Sequence, residues 1–455
     1  MKRTFFLIVL ISAVFKVQSQ NTDSLQIRKI FENAINNREA YHNLKFLCKQ
    51  APGRLLGTEN SIKALNYMKN YAEQMGADTV FLMAFQSPAW IHESSDASII
   101  NSNGKNRELS IAALGPSAST PKDGLTAEVI EVMSLEEIEK KGKEKIAGKI
   151  VFFNRPMKST FINPFRAYGD AVDQRYWGPV KASEYGAAAV IVRSMTPNFN
   201  GFPHTGSCGM RENKIPAVAV STMDADYLSL QLKDQPDLKL TINVQAVDTI
   251  VTAYNLVADI QGKEKPEEII LVSGHIDAWF NTEGAHDDGA GCVQAMDVLR
   301  IFKDLEINNK RTIRAVMFMD EELYQSGGNA YAAYAAENQS DHLIAMECDA
   351  GAFMPIGLTF DAEREFIEKV QKFKPLLKPY GGGFLKKGYG GVDISPLKKQ
   401  GVPLSGLNTV RQRYYDYHHC ETDTFEEVNF RELQMGTTLL AGFVYLIDKH
   451  GDSFR

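Results

Sequence analysis

Between Asn60 and Met75 the apolar residues Ile62, Leu65, Met68, Tyr71 and Met75 recur three or four apart, which predicts an amphipathic helix. Thr79-Val80-Phe81-Leu82-Met83 follows as a strand, so an α/β pattern opens the chain. From Lys122 to Ala246 the texture changes. Glu128 to Val132 and Lys149 to Phe153 read as strands punctuated by glycine and proline, and Lys181 to Tyr185 leads through Gly186 into an apolar run ending at Val192, a helix turning into a buried strand. This stretch is expected to form an inserted β-rich domain over residues 121–246, which divides a catalytic domain into residues 20–120 and 247–455. Beyond it strands from Ile269 to Ser273, Ile313 to Met319 and Leu343 to Cys348 alternate with helices from Gly291 to Leu305 and Gly328 to Asn338. The rhythm predicts an α/β fold with a mostly parallel mixed sheet flanked by helices. Such sheets bind ligands beyond the carboxyl ends of their strands, so the polar residues just after each strand are the ones to examine.

At 455 residues, 44% of them hydrophobic, the chain exceeds one ordinary core and is too apolar to be disordered. Lys2 and Arg3 precede an apolar run from Phe5 to Phe15, and Val17-Gln18-Ser19 offers a cleavage site, the layout of a secretory signal peptide over residues 1–19. The run falls well short of the roughly 20 residues that span a bilayer. The mature protein is therefore expected to be secreted or periplasmic after cleavage near Ser19, without stable membrane insertion. Losing Lys2, Arg3 and Lys16 takes the formal charge from -6 to -9, which argues against nucleic-acid binding. Cys48, Cys208, Cys292, Cys348 and Cys420 are odd in number and scattered, as buried single residues are, so no essential disulfide is expected. Glycines at 381–383, 388, 390 and 391 read as a mobile loop.

The strand ends carry the chemistry. The first delivers Gly274-His275-Ile276-Asp277, followed by His286-Asp287-Asp288-Gly289 at the start of a helix. The second delivers Asp320-Glu321-Glu322, the third Asp349, and Tyr417-His418-His419 comes much later with Asp423 and Thr424. So many acids at one sheet edge would repel one another at a cost of several kcal/mol unless a cation joins them. Histidine and carboxylate ligands without thiolates suit Zn²⁺ in a catalytic site, with manganese or cobalt chemically admissible. If Asp287 bridges two ions, His275 and Asp349 complete one site and Glu322 and His419 the other, leaving room for a shared water. Glu321 and Glu322 are expected to point to opposite sides of a strand end, one free to act as general base while the other binds metal. Asp277, two residues from His275, is expected to orient that imidazole through its distal nitrogen.

Each motif has a plainer reading when taken alone. Asp-Asp-Gly can be a turn or a helix cap, Glu-Glu a solvated pair, and His286 and His418 hydrogen-bonded neighbours of a site rather than ligands. Asp393 is placed either to hold a substrate α-amino group or to cap a helix. Coincidence at successive strand ends favours the joint metal-site reading.

His275-Ile-Asp277, Asp287-Asp288-Gly, Asp320-Glu321-Glu322, Glu347-Cys-Asp349 and His419 with Asp423-Thr424, in this order, resemble the co-catalytic di-zinc aminopeptidase and carboxypeptidase family. Within it the chain is most similar to the plasma glutamate carboxypeptidase, or carboxypeptidase Q, branch. Gly53-Arg54-Leu55-Leu56-Gly57, Pro203-His204-Thr205-Gly206 and Gly391-Val392-Asp393-Ile394-Ser395-Pro396-Leu397 extend the likeness over most of the mature chain, and the insertion resembles a protease-associated domain. The resemblance implies two Zn²⁺ per chain held by His275, Asp287, Glu322, Asp349 and His419, a catalytic base at Glu321, an orienting acid at Asp277, short peptide substrates, and a homodimer. It implies hydrolysis of dipeptides or removal of terminal residues from short peptides. A broad aminopeptidase on longer peptides, a deacylase or cyclase, and a non-catalytic binding ectodomain remain open on the same scaffold.

Overall fold

A computed structural model describes residues 22–100 and 106–454. The expected leader lies outside the described residues. The helix Glu59–Gln74 matches its prediction to within a residue and starts at Thr58, whose hydroxyl accepts from the Ser61 N–H at 3.2 Å. Ala64, Leu65, Met68 and Ala72 form its buried face, whereas Ile62, counted in the predicted stripe, is 44% exposed.

The strands in chain order are β1 (Thr79–Ile100), β2 (Arg107–Leu109), β3 (Ile111–Ala113), β4 (Leu125–Val132), β5 (Ile150–Phe153), β6 (Ala189–Arg193), β7 (Ala217–Val220), β8 (Lys239–Ile260), β9 (Lys265–His275), β10 (Arg311–Phe318), β11 (Asp341–Glu347), β12 (Pro355–Asp361), β13 (Phe384–Lys387) and β14 (Leu404–Thr409). They pair in the order β13-β12-β14-β11-β9-β10-β8-β4-β5-β6-β7-β3, with β1 along β8 and β2 along β1. The centre, β14-β11-β9-β10, is parallel. Every residue of β10 is buried, as a strand covered on both faces requires. β8 joins β10 antiparallel, and β12 joins β14 antiparallel, so the sheet is mixed.

β1 does not stop at Met83. It runs 22 residues and pairs with β8 from Thr79 opposite Asp259 to Ile100 opposite Lys239, with a register shift between His92 and Ser94. Pro88 and the polar stretch around His92 hid its length, since proline normally marks an edge or an end. The amino-terminal part of β8 also pairs with β4, so the two long strands lead from the central sheet into the region read as an insertion. That region is not β-rich. Between residues 121 and 238 six helices interleave with four short strands, β4 to β7, which pair parallel, making it α/β. Short strands and a sequence such as Pro164–Ala171, whose helix is set by an Asn163 cap and an initial proline, obscured the helices.

Within the glycine-rich stretch read as a loop, Phe384–Lys387 forms β13 and pairs parallel with β12. At the sheet's carboxyl edge the helix Ala290–Asp304 starts so close to β11 that a side chain at Gly291 would overlap the Cys348 carbonyl oxygen. The five cysteines are buried free thiols.

Candidate metal centre

β9 ends at His275, and the chain passes through Asp277 to a tight turn, Ala285–Gly289, that carries His286, Asp287 and Asp288. The peptide between Asp287 and Asp288 is cis. Three anchors fix this turn. Asp423 accepts the backbone N–H groups of His286 at 2.7 Å and Asp287 at 3.1 Å, and Asp288 accepts those of His275 at 3.1 Å and Gly291 at 2.9 Å. The buried Arg54 guanidinium donates to the carbonyl oxygens of Ile276, Glu283 and Gly284 at 2.5–2.8 Å. Arg54 belongs to a motif noticed in the sequence, yet nothing there revealed what it holds.

Asp287 lies between two histidines. Its Oδ1 is 3.2 Å from His275 Nε2, which is itself 3.9 Å from Asp349 Oδ1. Its Oδ2 is 3.5 Å from His419 Nε2, which is 3.1 Å from Glu322 Oε2. Two clusters thus share Asp287 through opposite oxygens. The sequence-predicted residues converge as a set, with His418 also close, since one ligand atom each from Asp287, His418 and His419 fall within 4.8 Å of one another. His418 is stacked on His419 at 3.6 Å, and burial, then the neighbouring His419, hold its pKa well below the ordinary value.

Two expectations need correction in their geometry. β10 ends at Phe318 and Asp320 takes a positive φ of 72°, so Glu321 and Glu322 sit in a turn beyond the strand, where side-chain alternation no longer operates. Asp277 holds their backbone instead, accepting the Glu321 N–H with Oδ1 and the Glu322 N–H with Oδ2, both at 3.3 Å. Glu322 is then steered by Trp279, whose indole donates to Oε2 at 2.6 Å. The Glu321 carboxylate makes no hydrogen bond or ion pair among the described residues. His275 Nδ1 is nearer the Asp277 carbonyl oxygen, at 3.2 Å, than its carboxylate, at 3.5 Å. The Asp277 carboxylate therefore holds the two-glutamate turn, while its carbonyl oxygen lies nearest the His275 imidazole.

The sequence also did not foresee how the last histidine is held. His419, with φ of 57°, donates from Nδ1 to the Thr205 carbonyl at 3.2 Å, and the Thr205 N–H donates to the His419 carbonyl at 3.0 Å. His204 Nδ1 donates to the His418 carbonyl at 2.7 Å. His286 is a packing residue, stacked between Phe353 and Tyr417 with Nδ1 accepting the Ala352 N–H at 3.1 Å. Asp393 does not cap the neighbouring 3₁₀ turn: both its carboxylate oxygens are buried without a donor. Glu347 anchors that loop, accepting Val392 N–H at 2.7 Å and Ile394 N–H at 3.0 Å, and a side chain at Gly391 would collide with it.

Asp287 Oδ2, Glu322 Oε1 and Asp349 Oδ1 are buried without a hydrogen-bond donor, a costly condition for carboxylates. Burial first, then neighbouring charge, raises the pKa of Glu322 well above the ordinary value and that of Asp349 to about 6. Burial opposes the His275 cation, yet hydrogen bonds to Asp277 and Asp287 lift its pKa well above the usual. Burial holds His419 down to about 4, in the neutral form a metal requires. A divalent cation supplies what these oxygens lack, and two imidazoles with three carboxylates form a donor set that zinc accepts in catalytic sites.

Two clusters of imidazole nitrogens and carboxylate oxygens that could hold metal thus lie at the carboxyl edge of a helix-flanked sheet, where α/β folds bind ligands. The model of peptidase family M28 matches residues 255–444. Carboxypeptidase Q of Xenopus laevis is 32% identical over 87% of this chain and 84% of its own length. The crystal structure of a peptidase M28 precursor from Shewanella amazonensis SB2B superposes with a TM-score of 0.89, at 28% identity over 94% of this chain and 97% of that one. A zinc aminopeptidase of Bacillus subtilis shares the fold, with a TM-score of 0.69 at 20% identity over 90% of this chain and 94% of that one. The chain belongs to peptidase family M28 and is a zinc metallopeptidase.

Proposed function

We propose that this protein is an exported two-zinc exopeptidase that splits dipeptides or trims single residues from short peptides. One observation carries the reading: the two oxygens of Asp287 face different histidines, each histidine having a further carboxylate beside it. In this assignment His275 and Asp349 hold one ion, Glu322 and His419 the other, and Asp287 both. Zinc bound there would polarise the scissile carbonyl and lower the pKa of water. Glu321, unengaged and partly exposed at the turn, takes the proton from the attacking water and hands it to the departing amine. Asp277 fixes the backbone of both glutamates, so the base and its neighbour keep a constant spacing.

A cavity of about 380 Å³ opens beside Asp349 and His418. Phe165 and Tyr168, from the region 121–246, form part of its wall, which supports a protease-associated-like insertion that narrows access to short peptides. No described helix is long and apolar enough to cross a membrane. Export with cleavage near Ser19 rests on the leader sequence, and amino-terminal sequencing of the mature protein tests it.

The functional test is metal analysis coupled to a substrate panel. Two zinc ions per chain with chelator-sensitive cleavage of free dipeptides is the expected result. Stepwise trimming of long amino termini would instead mark a broad aminopeptidase, and zinc binding without turnover of any free dipeptide or short peptide would sink the short-peptide reading.

A further inference from the structure

Arg411 lines the same cavity as Asp349 and His418. Among the described residues it is the only arginine or lysine in that wall. Its Nη2 donates to Asn408 Oδ1, and its guanidinium carbon lies 4.6 Å from the ring centroid of Phe165, which belongs to the insertion. Asn408 is itself fixed, donating to Thr359 Oγ1 at 2.7 Å and to the Gly406 carbonyl at 3.2 Å. The guanidinium is therefore oriented at one end. At the other, Arg411 Nε is buried with no acceptor, and no carboxylate pairs with this side chain among the described residues.

Arg413, two residues on, provides the contrast. It is 60% exposed and pairs with both Asp416 and Glu427. A surface arginine here is satisfied by its neighbours, whereas the one lining the cavity is held by Asn408 and makes no ion pair, the Asp349 carboxylate acting on it only from a distance. Burial lowers the pKa of Arg411, with Tyr414, Tyr415 and Asp349 acting in the opposite direction, and a guanidinium stays charged at neutral pH. A planar fork with a free N–H is matched to a carboxylate.

We infer that Arg411 is the receptor for a substrate carboxylate, namely the α-carboxylate of the residue on the leaving side of the scissile bond, and so selects free dipeptides over longer chains. The inference rests on the short-peptide reading above. In a dipeptide that carboxylate lies one residue from the reacting carbonyl, so a cation in the cavity that borders Asp349 can engage it. A longer peptide has a neutral amide there, which leaves the guanidinium unpaired and penalises binding, so discrimination comes from the unmet charge as much as from the contact made. An acidic side chain presents the same chemistry and is separated by the experiment.

The test uses the full zinc-loaded protein and the variants Arg411→Met and Arg411→Lys, checked for native melting and zinc content. Hydrolysis (kcat/KM) and competitive inhibition (Ki) are measured for alanyl-alanine, its carboxamide, and dipeptides with a glutamate side chain. The free acid should exceed the carboxamide by about 100-fold in the native protein, the ratio should collapse towards one in Arg411→Met, and Arg411→Lys should recover part of it. Preference for the free acid that survives in Arg411→Met overturns the inference while leaving the peptidase reading intact. If the Arg411-dependent preference follows the glutamate side chain instead, the α-carboxylate assignment is overturned in favour of the side chain. Free dipeptides that inhibit in an Arg411-dependent way but are never cleaved would uphold the receptor and reject the dipeptidase reading.

Discussion

His419 Nδ1 and the Thr205 carbonyl oxygen lie 3.2 Å apart, so a backbone group of the region 121–246 sets the tautomer of an imidazole at the candidate metal centre. With Nδ1 occupied as a donor, Nε2 is left as the lone-pair nitrogen directed at Asp287 and Glu322. His204 reinforces the arrangement through the His418 carbonyl. Replacing His204 by Ala removes that tether without touching a proposed ligand. The expected outcome is zinc affinity weakened by about 10–100-fold at one of two sites, read by chelator competition. Unchanged affinity for both ions would make the His204 contact a packing detail.

Glu321→Gln separates base from ligands. The substitution keeps the shape of a side chain whose carboxylate makes no hydrogen bond or ion pair among the described residues, and the proposed ligands remain. Zinc content should be unaltered while kcat falls by about 10²–10⁴-fold with little change in KM. Turnover within a few fold of the native enzyme would remove Glu321 from the proton path.

The adjacent histidines call for a paired measurement. His419 Nε2 approaches Asp287 and Glu322 directly, whereas His418 stacks on it with its ring against Tyr168 and Tyr415. His419→Ala is expected to bind one zinc ion, and His418→Ala two. The reverse pattern in metal analysis would move the ligand assignment to His418.

The strand ends were legible because the fully covered parallel strands, β9 to β11, are apolar runs closed by a sudden polar residue. That local contrast singled out His275, Glu321, Glu322 and Asp349 as candidates without any tertiary information, and the fold brings His275, Glu322 and Asp349 around Asp287 and His419. The supporting contacts were not legible, since they join residues far apart in the chain through backbone atoms: Arg54 to Glu283, Thr205 to His419, Asp423 to His286. A carbonyl acceptor leaves no mark in a sequence. The alternation argument for Glu321 and Glu322 does not apply, because the strand has ended before them and the Asp277 carboxylate holds their backbone N–H groups instead. Helices in the inserted region were missed where short strands dominated the hydrophobic pattern, and β1 was cut short by a proline that an edge-facing strand tolerates.

The two ends of the described chain meet at Asp23, and this contact makes stability depend on pH. Asp23 is 2% exposed and accepts from Tyr445 at 2.9 Å and from Lys449 and His450 at 2.5 Å and 3.0 Å. Burial pushes its pKa up, but hydrogen bonds from His450, Lys449 and Tyr445 outweigh it and bring the value from 3.8 down to about 2. A carboxylate with a depressed folded-state pKa stabilises the fold above its unfolded value and loses that contribution as pH falls through the folded one. The stabilisation should therefore be complete above about pH 4 and disappear towards pH 2, and after allowance for solvent screening it amounts to about 1–2 kcal/mol. Asp23→Asn tests this by difference: its urea midpoint should lie below that of the native protein at pH 6, and the gap should close as pH falls to about 2. A gap that is the same at both pH values would mean that shape, and not charge, makes Asp23 useful.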